Sequence, residues 1–394
     1  MIVSAPITYY LGRLIWLNIF VIAAVFANAA PASAIDLQSP AKQAYITDFK
    51  TGKVLFSKDA DEPMKPASMA KIMTVFVAFQ RIADGSLKLT DEMTVSKKAW
   101  RKGGSRTFLE VDSKVTVSDL LHGITIQSGN DAAIVIAEGI SGTEEAFADE
   151  MNFWAKKIGM SNTNFRNSTG WPDPDLTTTA KDMNILATEM IRRFPADKYP
   201  ELYPMFSKLE FTYNKINQPN RNPLVYGTAG ADGLKTGHTE ESGYGLVGSA
   251  LRDGQRVVMV LNGLSSMRQR AAESRRLMDL MFREFKTYRF FKQSETVDQA
   301  NVWLGTQPKV DLVHDEPLSM LLSYNERRDI QLSVQWQDPI PAPIKIGDAI
   351  GTLTIKSKDQ TQKLVLRAGQ DVPALGIVDR FGAAIKYLIF GAPT

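Results

Sequence analysis

Nineteen residues, 65–83, constrain this chain more than any other stretch: Lys-Pro-Ala-Ser-Met-Ala-Lys, then Ile-Met-Thr-Val-Phe-Val-Ala-Phe-Gln-Arg-Ile-Ala, closed by Asp84-Gly85. Met69, Ile72, Met73, Phe76, Phe79 and Ile82 recur at three- and four-residue spacing, which predicts a helix with one broad buried face. Ser68 stands at its start and Gly85 is placed to stop it. Lys71 follows Ser68 by one helical turn, so the two side chains share a face at the positive end of the helix dipole. A serine hydroxyl becomes a nucleophile only when a nearby base takes its proton. A lysine whose pKa is lowered by burial or a neighbouring cation can be that base. Alone, Ser-x-x-Lys usually marks a helix cap followed by a surface lysine. Its company decides otherwise.

The rest of the composition removes competing chemistries. With 394 residues, 44% hydrophobic and 23% charged, the chain has the make-up of a globular protein of two or three domains. Its net charge of +3, without a basic block interleaved with aromatics, argues against a nucleic-acid partner. There is no cysteine, which excludes disulfides, a thiol nucleophile and Cys-ligated metal. His122, His238 and His314 lie far apart without zinc-type spacing, so neither a metal nor another cofactor is expected. Arg13, the apolar run 14–30 and Ala32-Ser33-Ala34 have the pattern of a cleaved export signal over residues 1–34, with an uncleaved anchor as the alternative. The mature chain then starts at Ile35, outside the cytoplasm, where an absence of thiols is an advantage.

In order, 44–49 and 53–56 flank Thr51-Gly52 and predict a hairpin. A short strand is expected at 94–99 and a helix at 117–126, the latter ending at Gln127-Ser128-Gly129-Asn130-Asp131. A second helix follows at once over 132–138, so Ser128 and Asn130 sit on a tight connection. Gly129, Asn130 and Asp131 are also ordinary capping residues. Residues 146–157 and 181–193 predict helices either side of a long loop, 160–179, with a Gly170-Trp171-Pro172 corner. A strand is expected at 211–214 and a turn at 220–223. Gly233 to Thr239, 244–251 and 256–263 predict three strands, the last two joined at Asp253-Gly254, and 268–286 a closing amphipathic helix. Strands at both ends with helices between imply an antiparallel sheet whose two halves meet, flanked by helices. From about Tyr288 short strands replace helices and imply a small all-β domain over 288–372. In 373–394, Leu375, Val378, Phe381, Ile385, Leu388 and Ile389 form an apolar stripe, either lying on a membrane surface or packing on the β-domain.

Ser68-x-x-Lys71, Ser128-x-Asn130 and Lys235-Thr236-Gly237 occur in this order, 60 and then 107 residues apart. The trio resembles that of serine penicillin-binding proteins and class A β-lactamases. Its surroundings narrow the likeness. Pro66-Ala67-Ser68-Met69-Ala70-Lys71, Ser128-Gly129-Asn130-Asp131-Ala132, Asp232-Gly233-Leu234-Lys235-Thr236-Gly237-His238-Thr239 and Arg270-Ala271-Ala272-Glu273-Ser274 resemble the low-molecular-mass D-alanyl-D-alanine carboxypeptidases.

The resemblance implies a penicillin-binding-protein-like transpeptidase fold over 35–287, followed by the β-domain and the tail. It also implies a serine carboxypeptidase that takes peptidoglycan stem peptides ending in D-Ala-D-Ala and is acylated by β-lactams. Ser68 is then the nucleophile, Lys71 the general base, Ser128 a proton relay and Asn130 the orienter of Lys71. Lys235 and Thr236 bind the terminal carboxylate, Gly237 stands in the same strand, and the backbone N–H groups of Ser68 and His238 form the oxyanion hole. Arg221 and Arg270 are candidates for the carboxylate environment. The enzyme is expected in the periplasm, peripheral on the inner membrane through its tail. Class A β-lactamases need a loop glutamate for deacylation, and residues 161–179 contain only Asp173 and Asp175 as acids. That argues against efficient β-lactam hydrolysis. The alternatives are a D,D-endopeptidase or weak β-lactamase of the same fold, or a silent wall-binding protein.

Overall fold

The computed structural model describes residues 5–6, 37–357 and 361–390. The expected export signal lies, apart from residues 5–6, outside the described residues, as do 391–394 at the end of the tail. The chain forms two compact units, one of residues 36–283 and one of residues 284–394 with the N-terminal segment.

The first unit is built on an antiparallel sheet of five strands: β1 (Gln43–Asp48), β2 (Val54–Lys58), β3 (Ala231–Thr239), β4 (Gly243–Arg252) and β5 (Gln255–Leu264), in spatial order β2-β1-β5-β4-β3. The N-terminal hairpin joins the C-terminal meander where β1 pairs with β5, Ile46 opposite Met259. That pairing leaves β3 on the edge. The expected meeting of the two halves is therefore observed.

Helix α1 (Lys71–Ala83) runs through the middle of the unit. The sequence predicts one buried face, but every residue from Lys71 to Phe79 is buried. A helix apolar on all sides belongs in a core. Phe76 and Phe79 meet Phe194 edge-on at 5.6 and 5.3 Å, a geometry aromatic rings favour. Helices α2 (Val117–His122), α3 (Asn130–Ser141), α4 (Glu144–Ile158) and α5 (Ala180–Arg193) occupy the stretch between the strands. Thr116, Thr143 and Thr179 cap α2, α4 and α5 by accepting from the backbone N–H three residues on. Asn184 of α5 accepts from Thr47 of β1 and donates to the Val258 carbonyl of β5, tying this helix to the sheet.

Three local expectations are corrected. Residues 94–99 are not a strand: pairing is confined to Glu92–Thr94, and Ser96 caps a short helix, Lys97–Arg101. The helix expected over 117–126 ends as α at His122 and continues as a π turn, Gly123–Gln127. The closing helix, α6 (Met267–Glu284), stops two residues before the expected end, because Phe285–Phe291 is a strand paired with Leu318–Ser323. A strand at Ile216–Pro219, paired with Glu210–Tyr213, was not anticipated.

The second unit is the expected all-β domain. Its main sheet runs Gln331–Trp336, Ala349–Lys356, Thr361–Ala368, Lys309–Val313, Thr296–Trp303, with two-residue strands at either edge. Its core gathers Ala300, Val310, Leu312, Val334, Leu353 and Leu366. One short helix, Tyr324–Asp329, is held by a capping box between Ser323 and Glu326. A helix, Ile377–Phe390, follows the last strand. It begins later than residue 373, because Val372 and Leu375 are bonded through their backbone N–H groups to Ile344 and Leu304.

Candidate active site

Ser68 lies in a 3-10 turn, Ala67–Ala70, that leads directly into α1. Edge strand β3 passes flush against this turn. A Cβ on Gly237 would lie 2.9 Å from the Pro66 carbonyl oxygen and 3.0 Å from Met69 Cγ, so glycine is the residue that lets strand and turn touch. Ser128 takes a left-handed backbone, φ 70°, between the π turn and α3. That conformation costs an ordinary residue about 1–2 kcal/mol, and here it belongs to a residue that lines the same cleft as Ser68. Ser68, Ser128, Arg221, Thr236, Gly237, His238 and Arg270 all line one cleft of about 500 Å³. Ser105, Tyr244 and Met267 complete its wall. The three motifs, far apart in sequence, converge on one place.

Lys71 lies beneath the cleft, fully buried. Its Nζ is 3.0 Å from Ser68 Oγ, 2.7 Å from Asn130 Oδ1 and 2.6 Å from the Thr169 carbonyl oxygen. The amide of Asn130 cannot be reversed, because its Nδ2 donates to the Gly103 carbonyl at 2.8 Å. Two of the three partners of Lys71 are thus pure acceptors. A neutral amine donates two protons and offers one lone pair, and Ser68 alone can fill that lone pair with an O–H.

A family model described as D-alanyl-D-alanine carboxypeptidase matches residues 27–265. The chain belongs to the D-alanyl-D-alanine carboxypeptidase family. A second model, the C-terminal domain of penicillin-binding protein 5, matches residues 285–374 of this carboxypeptidase. The D-alanyl-D-alanine carboxypeptidase DacF of Bacillus subtilis is 35% identical over 345 residues, covering 87% of this chain and 88% of that protein. DacC of Escherichia coli is 36% identical over 357 residues with the same coverage of each, 87% and 88%. Penicillin binding protein 5 from Haemophilus influenzae superposes with a TM-score of 0.66 at 31% identity, covering 85% of this chain and 98% of that one.

Electrostatics in this carboxypeptidase follow from burying cations together. Burial, and then the Arg221 guanidinium, lower the pKa of Lys71 to about 7 against the opposing pull of Asp131 and Glu144. Lys235 is pushed well below the usual lysine range by burial and then by the charge of Lys71. Its Nζ donates to the Thr236 carbonyl at 3.2 Å and to neither serine. Arg270, lowered to about 10 chiefly by burial, reaches the Gly237 carbonyl at 3.4 Å and leaves its buried Nε without a partner. Arg221 hydrogen-bonds Ser105 Oγ and Gln127. His238 stacks on Tyr244 with ring centroids 3.8 Å apart. Ser128 Oγ is buried and unpartnered, facing the cleft rather than bonded to Lys71 or Lys235.

Several supports escape sequence reasoning. The Asp131 carboxylate accepts from the backbone N–H groups of Thr107, Phe108, Leu109 and Ala132, pinning the loop that carries Ser105 and Gly103. Buried Glu144 accepts from Ser168 N and Oγ and pairs with Lys98, holding the segment that ends at Thr169. Of the long loop's two acids, Asp173 is engaged elsewhere: it accepts from Asp175 N and lies 3.9 Å from Arg166.

Proposed function

We propose that this carboxypeptidase removes the terminal D-alanine of peptidoglycan stem peptides through an acyl-enzyme on Ser68. The observation that carries the proposal is the three-point seat of Lys71, bonded to Ser68 Oγ at 3.0 Å with a pKa lowered to about 7. Neutral Lys71 takes the Ser68 proton as Oγ attacks the carbonyl between the two D-alanines. The backbone N–H groups of Ser68 and His238 receive the developing oxyanion. Lys235, Thr236 and the Arg270 and Arg221 guanidinium groups receive the terminal carboxylate. The proton moves from Lys71 through Ser128 Oγ to the leaving amine, and D-alanine departs. Water then attacks the ester, Lys71 takes its proton and returns it to Ser68, and the shortened peptide leaves. A β-lactam acylates Ser68 by the same steps, and with no glutamate in 161–179 the adduct is slow to hydrolyse.

The proposed organisation is an export signal over 1–34, a catalytic domain over 35–287, a β-domain over 288–372 and a membrane-surface helix in 373–394. The enzyme then works in the periplasm on the outer face of the inner membrane. The test is D-alanine release from a stem pentapeptide by the chain starting at Ile35, beside Ser68→Ala. Release by the wild type alone, with a penicilloyl adduct on Ser68, is expected. An adduct without release would replace this reading with an endopeptidase acting on cross-links.

A further inference from the structure

Lys235 and Thr236 stand on an edge strand, and an edge strand is held from one side only. The register of β3 against β4 is broken once. Ala231 stands opposite Ala250 and Gly233 opposite Ser249, so Asp232 is an extra residue, a bulge on β3. Beyond it the ladder runs without a further break, Lys235 opposite Val247 and Gly237 opposite Gly245. Directly opposed residues share a face. Val247 packs in the core around α1, which puts Lys235 on the side of the sheet where α1 lies. A slip of one residue would turn Lys235 to the opposite face.

The bulge is clamped through its own side chain. Asp232 Oδ1 accepts from Tyr203 Oη at 3.0 Å, and Oδ2 accepts from Arg256 Nη1 at 2.6 Å. The same Arg256 nitrogen donates to Ser249 Oγ at 2.6 Å. Arg256 stands on β5, Ser249 on β4 and Asp232 on β3, so one guanidinium ties three adjacent strands together at the break in register. Tyr203 approaches from a 3-10 turn, Tyr203–Ser207. It comes close because Gly233 has no side chain: a Cβ there would lie 3.2 Å from Tyr203 Oη and 3.3 Å from Phe206 Cβ. Burial, and then the charge of Asp232, push the Tyr203 phenol well above its usual range, so its O–H stays a donor. None of these four residues lines the cleft of Ser68.

We propose that Tyr203, Asp232 and Arg256 are positioning residues for carboxylate binding. They lock the bulge that fixes the register of β3, and so present Lys235 and Thr236, three and four residues on, to the substrate's terminal carboxylate. They touch no reacting atom. The proposal rests on the role given to Lys235 and Thr236 in the carboxypeptidase reading.

The test measures acylation of Ser68 by benzylpenicillin and by its methyl ester, which offers no carboxylate to β3. Arg256→Met should slow acylation by the acid roughly tenfold, the size of one hydrogen bond to a charged group, and leave acylation by the ester unchanged. Arg256→Lys keeps the charge and should recover most of the loss. Tyr203→Phe removes one hydroxyl and keeps the ring. It should show the same selectivity in milder form, and it decides the matter if Arg256→Met does not fold. With a stem pentapeptide the variants should raise KM and leave kcat near that of the wild type, the mark of lost ground-state binding. An equal loss with acid and ester, or a fall in kcat at constant KM, would make the clamp a part of the general fold and overturn the proposal. Unchanged acylation by both compounds would overturn it too. If the wild type is labelled by penicillin but releases no D-alanine, it is the carboxypeptidase reading that fails, and the ratio of acid to ester still decides the clamp.

Discussion

In the proposed reaction the charge state of Lys71 controls what Ser68 can do. A lysine near 10.5 would be protonated at neutral pH and useless as a base; lowered to about 7, it is neutral in half the molecules there. The neutral fraction rises through that pKa, so kcat/KM should climb about tenfold per pH unit below 7 and level off above it. Burial and the charge of Lys71 depress Lys235 as well, and wherever Lys235 gives up its proton, weaker carboxylate binding should raise KM. A kcat/KM profile flat between about pH 5 and 8 would exclude Lys71 as the base. Stability also rises with pH, over a higher window. Between about 7 and 10.5 the unfolded chain holds a proton on Lys71 that the folded one has lost, so folding is favoured as pH rises through that window. Below it, a buried cation is a burden. Lys71→Met should therefore melt higher than wild type at pH 6, by roughly 1–2 kcal/mol in stability, with the gap closing toward pH 10. A gap that widens with pH would contradict the depressed pKa.

At the scale of elements, the position of Lys71 depends on how closely the long loop approaches α1. Gly170 has φ +74°, and a Cβ there would sit 1.8 Å from the Ala67 carbonyl oxygen. Backbone cannot yield as a side-chain tip can. Gly170→Ala should push Thr169 and its carbonyl off Lys71 and slow penicillin acylation of Ser68 at least about tenfold, beyond the conformational strain of about 1–3 kcal/mol. Gly142→Ala is the control, because Gly142 has φ +80° but open space around its Cβ position. It should lower the melting temperature similarly yet leave acylation intact. Equal acylation by both variants would show that the close approach is irrelevant. This architecture was partly legible in the sequence. Three short motifs in order located Ser68, Lys71, Ser128, Asn130 and Lys235, because side-chain chemistry leaves a signature. The carbonyls of Gly103 and Thr169 left none, since any residue supplies a carbonyl and only the fold aims it. Residues 94–99 misled for a related reason: their alternation suits a strand, while Ser96 starts a helix by capping it, and over so short a stretch neither pattern dominates. The strand Phe285–Phe291 was hidden because Phe285 continues the helical period of α6.

For the whole molecule, the outstanding element is the helix Ile377–Phe390. Among the described residues no helix is long and apolar enough to cross a membrane, and at about 1.5 Å per residue these 14 residues reach only about 21 Å. Yet Ile377, Val378, Phe381 and Ile385 are 77, 84, 70 and 55% exposed, and their spacing places them along one side. Burying four such side chains in a lipid interface would gain roughly 1.5 kcal/mol or more apiece, enough to hold a protein on a surface without spanning it. The expected outcome is that the chain ending at Gly376 stays in the supernatant when sedimented with vesicles, while the full mature chain pellets. A cut at Asp371 would be a poorer test, because Val372 and Leu375 hold backbone bonds to Ile344 and Leu304 and the β-domain would lose them. Phe381→Glu in the full chain tests the same surface without shortening it. Release of D-alanine from a soluble pentapeptide should be unchanged in both, since the residues that line the cleft of Ser68 all belong to the stretch 68–270. If both variants still pellet with vesicles, the apolar stripe is not the anchor.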